Sequence, residues 1–399
     1  MQYNEEWVMA RRNRYHGLQP LRNALHHAGD PDDALRIVHI AGTNGKGSTV
    51  RFLSDILQAQ GYRVGTFTSP HLMHHRDRIC INGAWIPQDV FCAYLKEYLD
   101  VIEREDLGMF EIDCLIAFSW FAKEQVDYAI IEAGLGGRLD NTNVIKRSEL
   151  SIIATIGKDH TSVLGERIQQ IAFEKAGIIK ENGRVLAGTQ NSHALAVIRE
   201  RAKRMHASFV RPKPFYSLSA GMFRYDDDLY TLSYKASYQC ENASLALEAA
   251  RMLGVDIHSA CVHEAVSRST WPGRFEVMQE KPLLILDGAH NEEGIQALVR
   301  SLHALPKPRT VVFSALSDKP FLSMCALVSA HCEDVLVTTF LDERAADPHV
   351  LAKAGYRYIP DYKKAIAEAE KQSENGTVIV TGSLHFISAV REYILSSGK

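Results

Sequence analysis

The stretch Ile37-Val38-His39-Ile40-Ala41-Gly42-Thr43-Asn44-Gly45-Lys46-Gly47-Ser48-Thr49 runs from a short strand-like segment into a turn carrying three glycines and one lysine. The residues that follow, Val50-Arg51-Phe52-Leu53-Ser54-Asp55-Ile56-Leu57, have the apolar spacing of a helix. Glycines let backbone N–H groups converge on an anion, a helix N-terminus adds the positive end of its dipole, and Lys46 brings a point charge for the outer phosphates. The reading is a phosphate cradle built from Gly42, Thr43, Asn44, Gly45, Lys46, Gly47 and Ser48. It departs from the commonest G-x-x-x-x-G-K-[ST] form, since Ile40 stands where the first glycine belongs and Gly47 follows the lysine; it fits the variant G-T-N-G-K-G-S. A purely structural turn is the competing reading, and the strand before it and the helix after it favour the cradle.

Working outward, short β-branched runs alternate with longer amphipathic segments, the pattern of a mostly parallel sheet covered by helices. Strands are expected at Ile37–Ala41, Arg63–Thr68, Tyr128–Glu132, Ser151–Ile156 and Arg184–Ala187, and helices at Gln88–Arg104, Phe110–Gln125 and Ile168–Gly177. A polar hairpin, Met222–Tyr234, turning at Asp226-Asp227-Asp228, interrupts the alternation before a helix at Glu241–Leu253. Ser269-Thr270-Trp271-Pro272-Gly273-Arg274 breaks both periodicities, and a second strand series follows at Leu283–Leu286, Thr310–Phe313, Val335–Thr339 and Val378–Val380. The fold class is therefore α/β: a P-loop-type, mostly parallel sheet domain over residues 1–270 and a smaller Rossmann-like α/β domain over 274–399.

Composition permits an enzyme of this kind. The 399 residues are 46% hydrophobic and 23% charged, enough for a large core in about two domains. A net charge of −3 gives no basic field for nucleic acid. Seven cysteines, at 80, 92, 114, 240, 261, 325 and 332, form no C-x-x-C pair and read as reduced thiols. Met1–Trp7 lacks a charged-then-apolar leader, and no apolar run approaches the ~20 residues of a membrane span. A cytoplasmic protein, acting as a monomer without membrane or nucleic-acid partners, is expected.

Open parallel sheets place ligands at the carboxyl ends of their strands. Beside Lys46 on that rim the sequence supplies Ser69 in Thr68-Ser69-Pro70-His71-Leu72, Glu132 ahead of Ala133-Gly134-Leu135-Gly136-Gly137, and His160 after Gly157-Lys158-Asp159. A hydroxyl, a carboxylate and an imidazole would suit a divalent cation bound together with phosphate oxygens, as magnesium prefers. Taken singly, Ser69 also reads as a turn residue before proline, Glu132 as a strand-end charge and His160 as a capping or packed histidine.

Five blocks in order carry a specific resemblance: Gly42–Ser48, Ser69-Pro70-His71-Leu72, Glu132 through Asn143, Phe173-Glu174-Lys175-Ala176-Gly177-Ile178, and Asp287-Gly288-Ala289-His290-Asn291. The chain resembles the folylpolyglutamate synthase/dihydrofolate synthase family of the Mur ligase superfamily. The resemblance implies ATP-dependent amide synthesis: a substrate carboxylate takes the γ-phosphoryl group, and the amine of L-glutamate then displaces phosphate. It places Mg2+ on Ser69, Glu132 and His160, nucleotide contacts on Asn242, Arg274 and Asp287 as well as the loop, and a carbamylated lysine at Lys175. An ordinary helix-end lysine is the alternative there, and partial burial would favour the neutral amine that carbamylation needs. His290 is the expected group for orienting or deprotonating glutamate, with a structural histidine as the alternative.

The resemblance also places the folate end of the substrate on Phe110, the aromatic of Phe110-Glu111, and on Leu139-Asp140. Leu107-Gly108-Met109 stands where relatives often carry a threonine, and Ala28-Gly29-Asp30-Pro31 only loosely matches their G-N-P block. Dihydropteroate, a folate mono- or polyglutamate and a related pterin-like compound all stay open as acceptors. Two readings from other classes were weighed against this one. A cell-wall Mur ligase would carry an N-terminal UDP-sugar domain, whereas 36 residues precede the first strand. A non-catalytic nucleotide switch would leave the Glu132, Lys175 and Asp287–Asn291 blocks unexplained.

Overall fold

The computed structural model describes residues 3–12, 14–219, 221–233 and 236–397. Eight strands, β1 (Ile37–Ala41), β2 (Val64–Phe67), β3 (Ile79–Ile81), β4 (Ala84–Trp85), β5 (Tyr128–Glu132), β6 (Leu150–Ile153), β7 (Arg184–Ala187) and β8 (Ser208–Val210), form one sheet. Their order is β4-β3-β2-β5-β1-β6-β7-β8. From β2 to β8 every neighbour pair is parallel, and β3 and β4 join antiparallel at one edge. All five residues of β1 are buried, which is why they read as an unbroken run rather than an alternation. The chain leaves β1 for β2 on one side, returns as β5 between them, and then adds β6 on the other side of β1. The carboxyl ends of β1, β5 and β6 therefore flank a switch point, where doubly wound sheets open a crevice.

Gly45 caps the helix Lys46–Ala59 with φ +84°, a conformation in which glycine has no Cβ penalty. That helix buries Val50, Phe52, Leu53, Ile56 and Leu57, and the helix Ala260–Arg268 packs on it. The helix Met109–Lys123 buries eleven residues, more than a surface helix would, because it is enclosed in the core with Phe67, Ile79 and Phe91. Gly65 of β2 has no side chain because the ring of Phe121 lies 2.9 Å from where its Cβ would be.

The second series builds a three-stranded antiparallel sheet, β9 (Phe215–Ser219), β10 (Met222–Tyr225) and β11 (Asp228–Thr231), and a six-stranded one. The latter comprises β12 (Glu276–Glu280), β13 (Leu283–Asp287), β14 (Arg309–Phe313), β15 (Asp334–Thr339), β16 (Arg357–Asp361) and β17 (Thr377–Thr381), in the order β12-β13-β17-β14-β15-β16. Only β12 runs antiparallel. The described residues group into two compact units, Met1–Pro214 with Asn242–Ser269 and Phe215–Glu241 with Thr270–Lys399. No helix among the described residues is long and apolar enough to cross a membrane.

Several boundaries differ from the sequence reading. The strand expected at Ser151–Ile156 ends at Ile153, because Thr155 turns to bond the phosphate loop. The helix expected over Gln88–Arg104 is two, Gln88–Glu97 and Leu99–Arg104, broken where Tyr98 adopts ψ 8° and stacks on Tyr94. The hairpin turns at Asp226 and Asp227, both with positive φ, as a two-residue turn of right twist requires. It is one part of a three-stranded sheet, and its expected end, Tyr234, lies outside the described residues. The helix expected from Glu241 starts at Ser237. Residues 215–241, placed by sequence in the first domain, group with the second unit: Ser237 N donates to Ser301 Oγ at 3.1 Å and Tyr238 Oη to Asp287 Oδ2 at 2.5 Å.

Because the Phe121 ring fills the space over Gly65 and is fully buried, Phe121→Ala should cost roughly 3–5 kcal/mol. Equilibrium denaturation should show a lower midpoint with an unchanged slope.

Candidate active site

The loop after β1 is clasped by the segment after β6. Thr43 N donates to Thr155 O at 2.8 Å, Thr43 Oγ1 donates to Gly157 O at 3.1 Å, and Asn44 N donates to Thr155 Oγ1 at 3.0 Å. Gly42 permits the approach, since a Cβ there would sit 2.9 Å from Ala154 Cβ. At Gly45 a Cβ would lie 2.3 Å from Asn242 Oδ1, so Asn242 lies against the loop. The N–H groups at the start of the helix Lys46–Ala59 have no acceptor within the helix and can receive an anion.

Two lysines meet at one carbonyl. Lys46 Nζ donates to Gly42 O at 3.2 Å and Lys175 Nζ to the same oxygen at 2.8 Å. Lys46 also approaches Glu132 Oε1 at 3.8 Å, while Ser69 N donates to Glu132 Oε2 at 3.3 Å. Lys46, Lys175, Glu132 and Ser69 thus form one cluster around the end of β1. Lys175 is 4% exposed, and burial, reinforced by Lys46, lowers its pKa from 10.5 to about 7. Near pH 7 roughly half of the Lys175 amines are therefore uncharged. His160 has φ +49° at the head of the short helix Thr161–Leu164, with Nε2 3.9 Å from Asp159 Oδ1. Among the described residues no three histidine, cysteine, aspartate or glutamate side chains gather as a metal cluster.

A second group forms beside the first. Phe110 and Asp140 converge over Gly134: from its Cβ position Phe110 Cζ would be 2.9 Å away and Asp140 Oδ2 3.3 Å. Asp140 is buried, which pushes its pKa up, and three donors oppose that shift: Leu135 N at 2.7 Å, Thr142 Oγ1 at 2.5 Å and Thr142 N at 3.0 Å. Leu139 is exposed, and its carbonyl accepts from Tyr15 Oη at 2.7 Å. Burial, together with Asp140 and Glu111, pushes the Tyr15 hydroxyl up. Glu111 is fully buried; Oε2 accepts from Gly108 N at 2.6 Å, and Oε1 has no partner among the described residues. The loop carrying Leu139 and Asp140 is set on the helix carrying Lys175: Arg138 N donates to Glu174 O at 2.7 Å, and Gly177 leaves room for Arg138.

In the second unit Asp287 ends β13 and accepts three hydrogen bonds. Oδ2 accepts from Tyr238 Oη and Phe275 N (3.0 Å), and Oδ1 from Ala289 N (2.9 Å). Burial raises its pKa and the Tyr238 bond counters it. Arg274 Nη1 donates to Gly288 O at 3.2 Å and His290 Nδ1 lies 2.9 Å from the same oxygen. A carbonyl only accepts, so His290 Nδ1 carries a hydrogen and Nε2 is the basic position of the neutral ring. Thr155, Tyr15, Thr142 and Tyr238 were missed by the sequence reading. Each acts across the fold through one hydroxyl, and a hydroxyl residue in a loop leaves no local pattern.

The model for the Mur ligase middle domain matches residues 40–237, and that for the Mur ligase glutamate ligase domain matches residues 273–384. The chain is 35% identical to the dihydrofolate synthase/folylpolyglutamate synthase of Bacillus subtilis, over 94% of each. Among solved structures, Escherichia coli FolC in complex with DHPP and ADP superposes with a TM-score of 0.90 at 27% identity, covering 99% of this chain and 97% of that one. A bifunctional folylpolyglutamate synthase/dihydrofolate synthase with Mn, AMPPNP and L-glutamate bound gives 0.86 at 27%, covering 98% and 97%.

Lys175 titrates near 7 in the fold and near 10.5 when unfolded, so between those values the unfolded chain holds more protons and stability rises with pH. The cost of the buried ammonium is complete below about pH 7 and gone above 10.5. Lys175→Met in carbon-dioxide-free buffer should therefore raise Tm most at pH 7 and below, with a gain that shrinks toward pH 10.5. A gain that grew with pH would contradict this assignment.

Proposed function

The chain belongs to the folylpolyglutamate synthase/dihydrofolate synthase family and is an ATP-dependent ligase that joins L-glutamate to a folate-type carboxylate; from that premise we propose how its own residues divide the work. The observation that carries the assignment is the convergence of Lys46, Lys175 and Glu132 around Gly42 at the switch point.

Gly42 through Ser48 hold the phosphates of ATP, with Asn242 beside Gly45; Arg274 and Asp287 are further proposed nucleotide contacts. Ser69, Glu132 and His160 hold Mg2+. The nearly buried Glu132 carboxylate, set between a serine amide and a lysine, fits a hard cation shared with phosphate oxygens. When bound, that cation supplies positive charge to the phosphate oxygens. In the first step an acceptor carboxylate oxygen bonds to the γ-phosphorus, the bond to the β,γ-bridging oxygen breaks, and ADP leaves. Lys46 neutralises charge on the transferred group while the loop keeps it in line. In the second step the glutamate nitrogen bonds to the acyl carbon, phosphate leaves, and the amine gives up a proton. His290 Nε2 is the proposed receiver of that proton, in keeping with an Nδ1 engaged by Gly288 O.

Lys175 is proposed to be carbamylated. Its near-complete burial and its pKa of about 7 supply the neutral amine that carbon dioxide requires. The carbamate would also replace two cations on one carbonyl by a cation and an anion. Phe110 offers an aromatic face to the acceptor, Leu139 lines its edge, and Asp140 accepts an N–H of its ring. Dihydropteroate and reduced folates are the proposed acceptors. All seven cysteines are free thiols, in keeping with a reducing cytoplasm.

Two experiments test the reading. Lys175→Ala should lose activity that added acetate partly restores, because a negative charge is wanted at that place; rescue by methylamine instead would mean the lysine works as a cation. Glutamate-dependent ADP release across a panel should appear with dihydropteroate or reduced folates and not with UDP-linked muramyl compounds. Asp140→Ala should hurt acceptor use far more than ATP binding. Turnover with no pteroate or folate in the panel would overturn the acceptor assignment.

A further inference from the structure

His39 lies in the middle of β1, between β5 and β6, paired in register with Ile131 and Ser151, and is 0% exposed. A central parallel strand favours an aliphatic residue there, and a buried polar atom left unpaired costs about 1–3 kcal/mol. His39 Nδ1 has no partner among the described residues, so the strand carries that cost while Nε2 alone is engaged.

Nε2 lies 2.8 Å from Thr142 Oγ1, which lies 2.5 Å from Asp140 Oδ1. Thr142 is fully buried, and its backbone N also donates to Asp140 Oδ1. The directions of these bonds follow from chemistry. A carboxylate only accepts, so the single hydroxyl hydrogen of Thr142 goes to Asp140. Thr142 Oγ1 can then only accept from His39, whose hydrogen must be on Nε2. Nδ1 is left as a bare lone pair, which agrees with its having no acceptor to meet. A second ring hydrogen would have nowhere to go, and burial indeed pushes the His39 pKa down to about 3.

We propose that His39 is a positioning residue for the acceptor: through Thr142 it fixes the orientation and charged state of Asp140, leaving one open acceptor position on Oδ2 for a substrate N–H. Of about four acceptor sites on a carboxylate, Thr142 takes two on Oδ1 and Leu135 N takes one on Oδ2. The same strand runs directly into Gly42, so His39 and the carbonyl that gathers the two lysines lie three residues apart on one stretch of chain. This inference rests on the reading of Asp140 as the acceptor-binding carboxylate.

The test uses full-length enzyme with whichever acceptor the panel identifies, and measures acceptor KM, ATP KM, kcat and the pH dependence of acceptor KM. One neutral hydrogen bond predicts that His39→Leu raises acceptor KM roughly 3- to 10-fold while ATP KM stays within about twofold. With Asp140 less well supplied with donors, the acid limb of acceptor binding should move to higher pH. His39→Gln, whose amide nitrogen can reach the Nε2 position, should restore both. Thr142→Val should reproduce the His39→Leu defect, and the double variant should be no worse than either single one. Should His39→Leu fail to fold, Thr142→Val carries the same expectations. Wild-type acceptor KM and pH limb in these variants, or additive effects in the double variant, overturn the relay. Asp140→Asn is measured in parallel: an unchanged acceptor KM there refutes the parent reading, whereas a raised one beside an unaltered His39→Leu refutes the relay alone.

Discussion

One carbonyl oxygen, that of Gly42, receives the side-chain amines of Lys46 and Lys175. Burial of the Lys175 amine, and secondly the charge of Lys46 at the same acceptor, depress the Lys175 pKa to about 7. Lys46, nearer the surface, instead leans toward Glu132. The arrangement is short of negative charge, which phosphate oxygens bring from outside and a carbamate would bring from within. Loop, strand end and helix are all placed by this one constraint: β1 supplies the carbonyl, the helix Lys46–Ala59 supplies one amine, and the helix Ile168–Ala176 supplies the other.

Around that point the fold uses buried carboxylates as organisers. Asp140 accepts three hydrogen bonds and Asp287 accepts three. Burial pushes the pKa of each carboxylate up, the donors oppose that shift, and the bonds fix the backbone around each one. At Asp287 the effect is visible in Phe275, which holds φ +54°, a conformation costing a non-glycine residue about 1–3 kcal/mol. The bond from Phe275 N to Asp287 helps to retain that turn and so presents Arg274. Nearby, Gly288 O engages Arg274 and His290 together, much as Gly42 O engages two lysines.

What was legible in the sequence follows from how many independent signals each element carried. β1, β5 and β7 were found at their observed limits because interior parallel strands read as short, mostly apolar runs. The edge strands β12, reading Glu-Val-Met-Gln-Glu, and β16, which contains Pro360, carry no such run and were not anticipated. The glycine-rich loop and the residues at strand ends were legible because their chemistry is local. A shared rim was expected from the rule for open parallel sheets, but the strand order behind it was not: Glu132 meets Lys46 because β5 returns beside β1.

His39 marks the limit of that legibility. In the sequence it is a single polar residue in an apolar run, absorbed without comment into a strand. Its meaning needs Thr142, more than a hundred residues away, and the latter's meaning needs Asp140. In the proposed relay the satisfied half of this imidazole supports the Asp140 carboxylate. His39 lies in β1 and the glycine-rich loop follows that strand directly, so a shift of this strand would move His39 and Gly42 together.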